Sequence, residues 1–283
     1  MAYVAEISRT SPTAILFVID QSTSMGHSLH EGQSKAAFLA DVLNKTIYTL
    51  VTNCSKADGV RDYFQIGVIA YSGDGARNGF KGRLANKQLR LISEVADTPL
   101  RIEERVKKVA SDTDGVTLQK VKFPIWFDPF SRGKTSMCAG LGMAADILEE
   151  WCGANVNAFP PTVLHVTDGH PTDGNPAMPA SRIRNMGTED GACLLFNLHV
   201  DNAGGSPIVF PSTETSLTDR YGVNLFYMSS ELPSHALRSA KAKGYAVSPG
   251  ARGFVYNAAL ESIVDFFDIG TRPSLGMVGD GDR

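Results

Sequence analysis

The segment Thr13–Asp20, TAILFVID, runs apolar without interruption from Ala14 to Ile19 and ends in a carboxylate. A strand that shows no alternation of apolar and polar residues has to be covered on both faces. Such strands belong to parallel sheets flanked by helices. A helical period follows over residues 34–53, where Phe38, Val42, Leu43, Ile47, Leu50 and Val51 share a stripe. A second strand is expected in YFQIGVIAYSG, residues 63–73.

Strands and helices continue to alternate. Helices are expected in PLRIEERVKKVAS, in residues 136–151, in MPASRIRNMGT, in SHALRSAKAKG and in ALESIVDFFDI. Strands are expected in PTVLHVTDG, ACLLFNLHV, VNLFYMS and GFVYN, with a short edge strand near Leu89–Ile92. Pro124 counts against a strand in VKFPIWFD. This order predicts an α/β fold of the doubly wound, Rossmann-like kind: a mostly parallel central sheet, helices on both faces and one antiparallel edge strand. One domain is expected over residues 13–268, after a lead-in at 1–12 and before a disordered tail at 269–283. An insertion-like stretch occupies 72–134.

Composition excludes several classes. The 283 residues carry 27 basic and 30 acidic side chains, a net charge of -3, with no basic stripe, so nucleic acid is not an expected partner. Cys54, Cys138, Cys152 and Cys193 are scattered without a C-x-x-C and read as reduced, buried and inert thiols of a cytoplasmic protein. The apolar run in the first strand is too short for a membrane span or a signal peptide, so no membrane association is expected.

Ligands of doubly wound sheets bind beyond the carboxyl ends of the strands, where strand order reverses. The expected strand ends carry Asp20, Ser22 and Ser24 in DQSTSMG, and Asp168 in VTDGHPTDG, with Asp173 further on. A third segment, SRGKTSMCAG, opens the helix after residue 135. Its GKT is not a phosphate-binding loop, because the position five before Gly133 is Asp128 rather than glycine. Its TSM does not suit a serine nucleophile at Ser136, because His27 and His30, the histidines between Asp20 and Ser136, share one polar loop. Hydroxyls and carboxylates instead suit Mg²⁺, which prefers oxygen ligands and keeps several waters.

In this order the three segments resemble a von Willebrand factor A domain with its metal-ion-dependent adhesion site, also found in integrin inserted domains. The resemblance covers roughly residues 13 to 268. It implies that Ser22, Ser24 and Thr135 ligate Mg²⁺ through hydroxyls, with Mn²⁺ or Ca²⁺ able to substitute, and that Asp20 and Asp168 stand close, often through water. A metal with neutral ligands completes its shell with an Asp or Glu carboxylate of a partner protein, which is binding chemistry and not catalysis. Standalone bacterial A domains of the tellurite-resistance and stress-response type are similar, and some work beside a protein kinase and a phosphatase. Two alternatives remain: a subunit docking on a chelatase-type ATPase, and a metal-dependent hydrolase using His170. The chain departs from the pattern at Thr23, where relatives usually have glycine, and at Lys134, a cation next to the proposed ligand Thr135. Asp173 is read as structural, and so are the aromatics Phe123, Trp126, Phe127 and Phe130, with an aromatic rim beside the metal as their alternative role.

Overall fold

In the computed structural model, which describes residues 3–30, 32–110, 116–201 and 206–271, the run Thr13–Asp20 is strand β1 and is buried at every position. Ile15, Phe17 and Ile19 enter one apolar cluster, and Ala14, Leu16 and Val18 enter another. The absence of alternation therefore has the expected cause: both faces are covered. Helix α1 (Lys35–Cys54) follows, begun by Ser34, whose side chain accepts from Ala37 N. Strand β2 (Phe64–Ser72) pairs parallel with β1 and sets Asp20 beside Tyr71. Two short strands, β3 (Gly75–Asn78) and β4 (Arg90–Leu91), lie antiparallel to β2, and a six-residue helix α2 (Ile92–Asp97) follows.

Residues 99–111, expected to be helical, instead supply strand β5 (Arg101–Ala110), which forms an antiparallel hairpin with β6 (Val116–Ile125). Ile102 and Val106 suit helical spacing, but they also suit one face of a strand, and a long partner strand decides the matter. Arg101 bridges to Glu103 at i,i+2, a spacing that shares a face only in extended chain. Pro124 is tolerated opposite Ile102 because the hairpin stands apart from the main sheet. It leans on α1 through Arg105 to Asp41 at 2.6 Å and Tyr48 against Phe123.

The second half supplies α3 (Met137–Ala154), β7 (Thr162–Thr167), α4 (Ala177–Asn185), β8 (Leu194–His199), β9 (Ile208–Val209), α5 (Arg220–Met228), α6 (Ser234–Ala242), β10 (Phe254–Tyr256) and α7 (Leu260–Thr271). Of residues 223–229, expected as a strand, 223–228 lie in α5 and Ser229 follows its end. Asp219 accepts from the backbone N of Tyr221 and Gly222, and Tyr221, Leu225 and Met228 turn to the core at helical spacing. The expected tail splits: Ile269–Thr271 complete α7, and residues 272–283 lie outside the described residues.

The main sheet has eight strands in the order β9-β10-β8-β7-β1-β2-β3, with β4 also bonded to β2. Its central pairs are parallel. The antiparallel members are three, β3, β4 and β9, not the single one expected, and they close the edges where no helical crossover is available. Side chains of α1, α2, α6 and α7 enter the cluster on one face, and those of α3, α4 and α5 enter the other. The chain runs from β1 to one side and later returns to β7 on the other, so strand order reverses between β1 and β7.

Candidate metal centre

Asp20 ends β1 with 1% exposure. One carboxylate oxygen accepts from Ser22 N at 2.8 Å, and the other accepts from the Thr167 hydroxyl at 2.8 Å. Burial pushes the Asp20 carboxyl up to about 6; the charge of Asp168 adds to the rise, and hydrogen bonds from Ser22 and Thr167 oppose it. The short 3₁₀ turn Thr23–Gly26 brings the Ser24 hydroxyl 3.1 Å from that of Ser22 and lets it donate to Asp168 Oδ1 at 2.6 Å.

Thr135 comes from the third segment, which is tied to the first. Thr23 N donates to Gly133 O at 2.9 Å and Arg132 N to Gln21 O at 2.8 Å. Gly133 has φ +83°, and a Cβ there would stand 2.8 Å from Gly73 N, so only glycine suits this crossing. The Thr135 carbonyl accepts from Thr172 N and from its hydroxyl. The Thr135 hydroxyl makes no hydrogen bond among the described residues, although the residue is 7% exposed. A Cβ built on Gly169 would lie 3.8 Å from Thr135 Oγ1 and 3.9 Å from Ser24 Oγ. The two hydroxyls thus face one small space beside Asp168.

The five residues singled out in the sequence therefore meet at the switch point. A sixth was not foreseen. Lys35, in the first turn of α1, places its ammonium 3.0 Å from Asp168 Oδ2, with the two side chains 5% and 0% exposed. Lys134, the cation that the sequence brings to notice, is exposed. A signal for Lys35 did exist: it is the residue four before Leu39 on the buried stripe of α1, where a cation is out of place without a partner.

Behind Asp20 runs a buried polar chain that the sequence also left unmarked. Ser229 donates to Leu225 O and accepts from the Asn197 amide, which leaves Asn197 Oδ1 facing His165 Nδ1 at 2.8 Å. His165 then carries its proton on Nδ1 and accepts from Tyr71 through Nε2 at 2.8 Å. Burial pushes this imidazole down to about 4, the Asn197 hydrogen bond opposing it, so it is neutral at pH 7.

The remaining candidates fall outside the cluster. Asp173 accepts from Cys138 N and Ala139 N and so caps α3. His170 is exposed, its ring 4.3 Å from that of Tyr221. Trp126 and Phe127 are buried, and Phe123 lies under Arg105 on the hairpin. Phe130 is exposed and stands 5.1 Å from the guanidinium of Arg77, which donates to Gln21, so these two form a rim beside the Asp20 loop. The cysteines are unpaired thiols; Cys138 is half-buried, and Cys152 and Cys193 approach to 3.6 Å.

The donor chemistry fits a hard cation. Among the described residues no three His, Cys, Asp or Glu side chains gather to hold a metal, so an ion here takes hydroxyls, at most two carboxylates and water. Soft-metal sites of thiolate or clustered imidazole are a different chemistry.

No protein-family model matches the chain, and no curated protein matches it. Solved structures do show similarity. The pilus adhesin SpaC from Lactobacillus rhamnosus GG aligns with a TM-score of 0.47 at 10% identity, over 97% of this chain and 31% of that one. The PilB minor pilin from Streptococcus sanguinis aligns at 0.46 and 12% identity, over 95% of this chain and 62% of that one. The vWF domain of the type V pili tip protein Mfa5 from Porphyromonas gingivalis aligns at 0.31 and 14% identity, over 57% of this chain and 39% of that one. This chain spans less than two thirds of each. Similarity at this level assigns neither activity nor partner. No helix among the described residues is long and apolar enough to cross a membrane.

Proposed function

We propose that residues 13–268 are a von Willebrand factor A domain whose Asp20, Ser22, Ser24, Thr135 and Asp168 form a metal-ion-dependent adhesion site for Mg²⁺. The observation that carries this reading is the Thr135 hydroxyl, which makes no hydrogen bond among the described residues and faces the same space as Ser24 beside Asp168. A bound divalent ion would supply a positive centre that attracts a carboxylate. The function is then to capture an Asp or Glu side chain of a partner protein, in a signalling, stress-response or assembly complex of the cytoplasm.

The chain's own residues do the positioning. Asp20 is held by Ser22 N and Thr167, and it fixes the turn that presents Ser22 and Ser24. Ser24 and Lys35 hold the two oxygens of Asp168. Lys35 also sets the charge: it cancels one of the two carboxylates, so a dication leaves the site with a net positive charge, which favours an anionic partner group. Arg77 and Phe130 on the rim offer a guanidinium and an aromatic face to the residues flanking that group. A kinase, a phosphatase or an ATPase subunit presenting an acidic loop suits this surface.

The test is thermal stability with and without Mg²⁺ or Mn²⁺ for wild type, Asp20→Ala and Thr135→Ala. The reading requires stabilisation of the wild type and none of the variants. Equal stabilisation of all three proteins would place the ion elsewhere.

A further inference from the structure

At the other end of the sheet, a cleft of about 880 Å³ opens beside the amino end of β8. Its position follows from Cys193, which precedes β8, and from Ser230, whose backbone N donates to Leu195 O. The metal centre lies past the carboxyl ends of β1 and β7, which run parallel to β8, so the two sites occupy opposite edges.

Three guanidiniums line this cleft, those of Arg184, Arg238 and Arg252, against one carboxylate, the exposed Glu231. His235 in the same wall adds no charge at pH 7, because burial pushes its imidazole down to about 4, with Arg238 adding to the shift. No ion pair joins any of the three arginines to a described residue. Arg252 is held by other means: it donates to Ser229 O at 2.6 Å and lies 4.9 Å from the Phe226 ring centroid.

Arg184 is the telling residue. Two positions earlier on α4, Arg182 faces the other way and is paired with both Asp146 and Glu149. Arg184 is half-buried, and its Nε is buried with no hydrogen-bond partner. A guanidinium in that condition bears a desolvation cost that nothing among the described residues offsets. Burial, and then the like charge of Arg252, lower its pKa.

We propose that this cleft binds a phosphorylated small molecule of nucleotide size. Guanidinium forks match phosphate oxygens, and several converging cations favour a dianion over a single carboxylate. The volume lies in the range of small-molecule sites and far exceeds one phosphate group. Leu232 and Pro233 give an apolar wall for the rest of the molecule.

The test is calorimetric titration of the full chain with AMP and with inorganic phosphate in EDTA, which separates this cleft from the metal centre. AMP is expected to bind at least about tenfold more tightly than phosphate. Arg238→Ala, at an exposed position, and Arg184→Gln are each expected to weaken AMP by about tenfold or more, the loss of a charge-assisted hydrogen bond. Asp20→Ala is expected to leave AMP binding unchanged. Absence of AMP binding at millimolar concentration overturns the proposal, and so does affinity within twofold of wild type in both arginine variants. Phosphate bound as tightly as AMP overturns the nucleotide size. Failure of the metal reading leaves all these outcomes untouched.

Discussion

At the carboxyl ends of β1 and β7, an ammonium and a carboxylate lie 3.0 Å apart, both almost wholly out of solvent. At the amino end of β8, three guanidiniums share a cleft with one exposed carboxylate. The difference is one of solvent access. A charge taken completely out of water has to find its partner within the chain, because an unpaired buried ion costs several kcal/mol. A charge on an open wall is solvated in part and can wait for a partner from outside. Pairing at the first edge should therefore be needed for the fold, and the charges at the second should not.

The contrast is most exposed to failure at Lys35. Lys35→Met leaves Asp168 buried without its cation, and unfolding by urea in EDTA should show a loss of about 3–5 kcal/mol. Saturating Mg²⁺ should restore more stability to this variant than it adds to wild type, since the dication takes over the cation's task. Stability equal to wild type in EDTA would remove the contrast altogether.

Thr135→Ala sharpens the same edge, because its hydroxyl has no structural duty. Metal-free stability should stay close to wild type. The increment of about 2.7 kcal/mol expected at roughly 100 times Kd should disappear.

The buried imidazole of His165 gives a pH test. Unfolded, it takes a proton below about 6.5; folded, only below about 4. Between those values the unfolded state binds more protons, so this contribution is complete above about 6.5 and is lost as pH falls toward 4. From pH 7 to pH 5, the stability advantage of wild type over His165→Gln should shrink by about 2 kcal/mol. Chemical denaturation at the two pH values measures it, and a constant difference would show that the imidazole takes up its proton in the fold as readily as in the unfolded chain.

Arg184→Gln is the smallest expected effect and the counterpart of Lys35→Met. Removing an unpartnered half-buried charge should lower stability by no more than about 0.5 kcal/mol. A loss as large as that of Lys35→Met would mean that the cleft arginine is structural after all.

Legibility in the sequence followed the range of the interactions. Helix α1 was visible because its apolar stripe is local. The reading failed at β5, where Ile102 and Val106 suit either period and the partner strand is a separate segment, Val116–Ile125. It failed again at α5, where VNLFYMS is too short an apolar run for periodicity to decide, and Asp219, the cap, lies outside it. The short edge strand expected near Leu89–Ile92 is β4, whereas β3 was not foreseen, because two- to four-residue pairings carry almost no pattern.

By itself, the sequence determined that β1 is buried on both faces and that oxygen-bearing side chains, Asp20 and Asp168 among them, stand at or just past strand ends. These follow from hydrophobic period and from order along the chain, which need no knowledge of distant contacts. Only the tertiary structure decided which charges meet. Lys35 and Asp168 are 133 residues apart, and His165 and Asn197 are 32 apart. Arg182 and Arg184 are indistinguishable as letters two apart on one helix, yet one finds two carboxylates and the other faces an open cleft. Electrostatic partnership depends on separation in space and on burial, and neither quantity is defined until the sheet has ordered its strands.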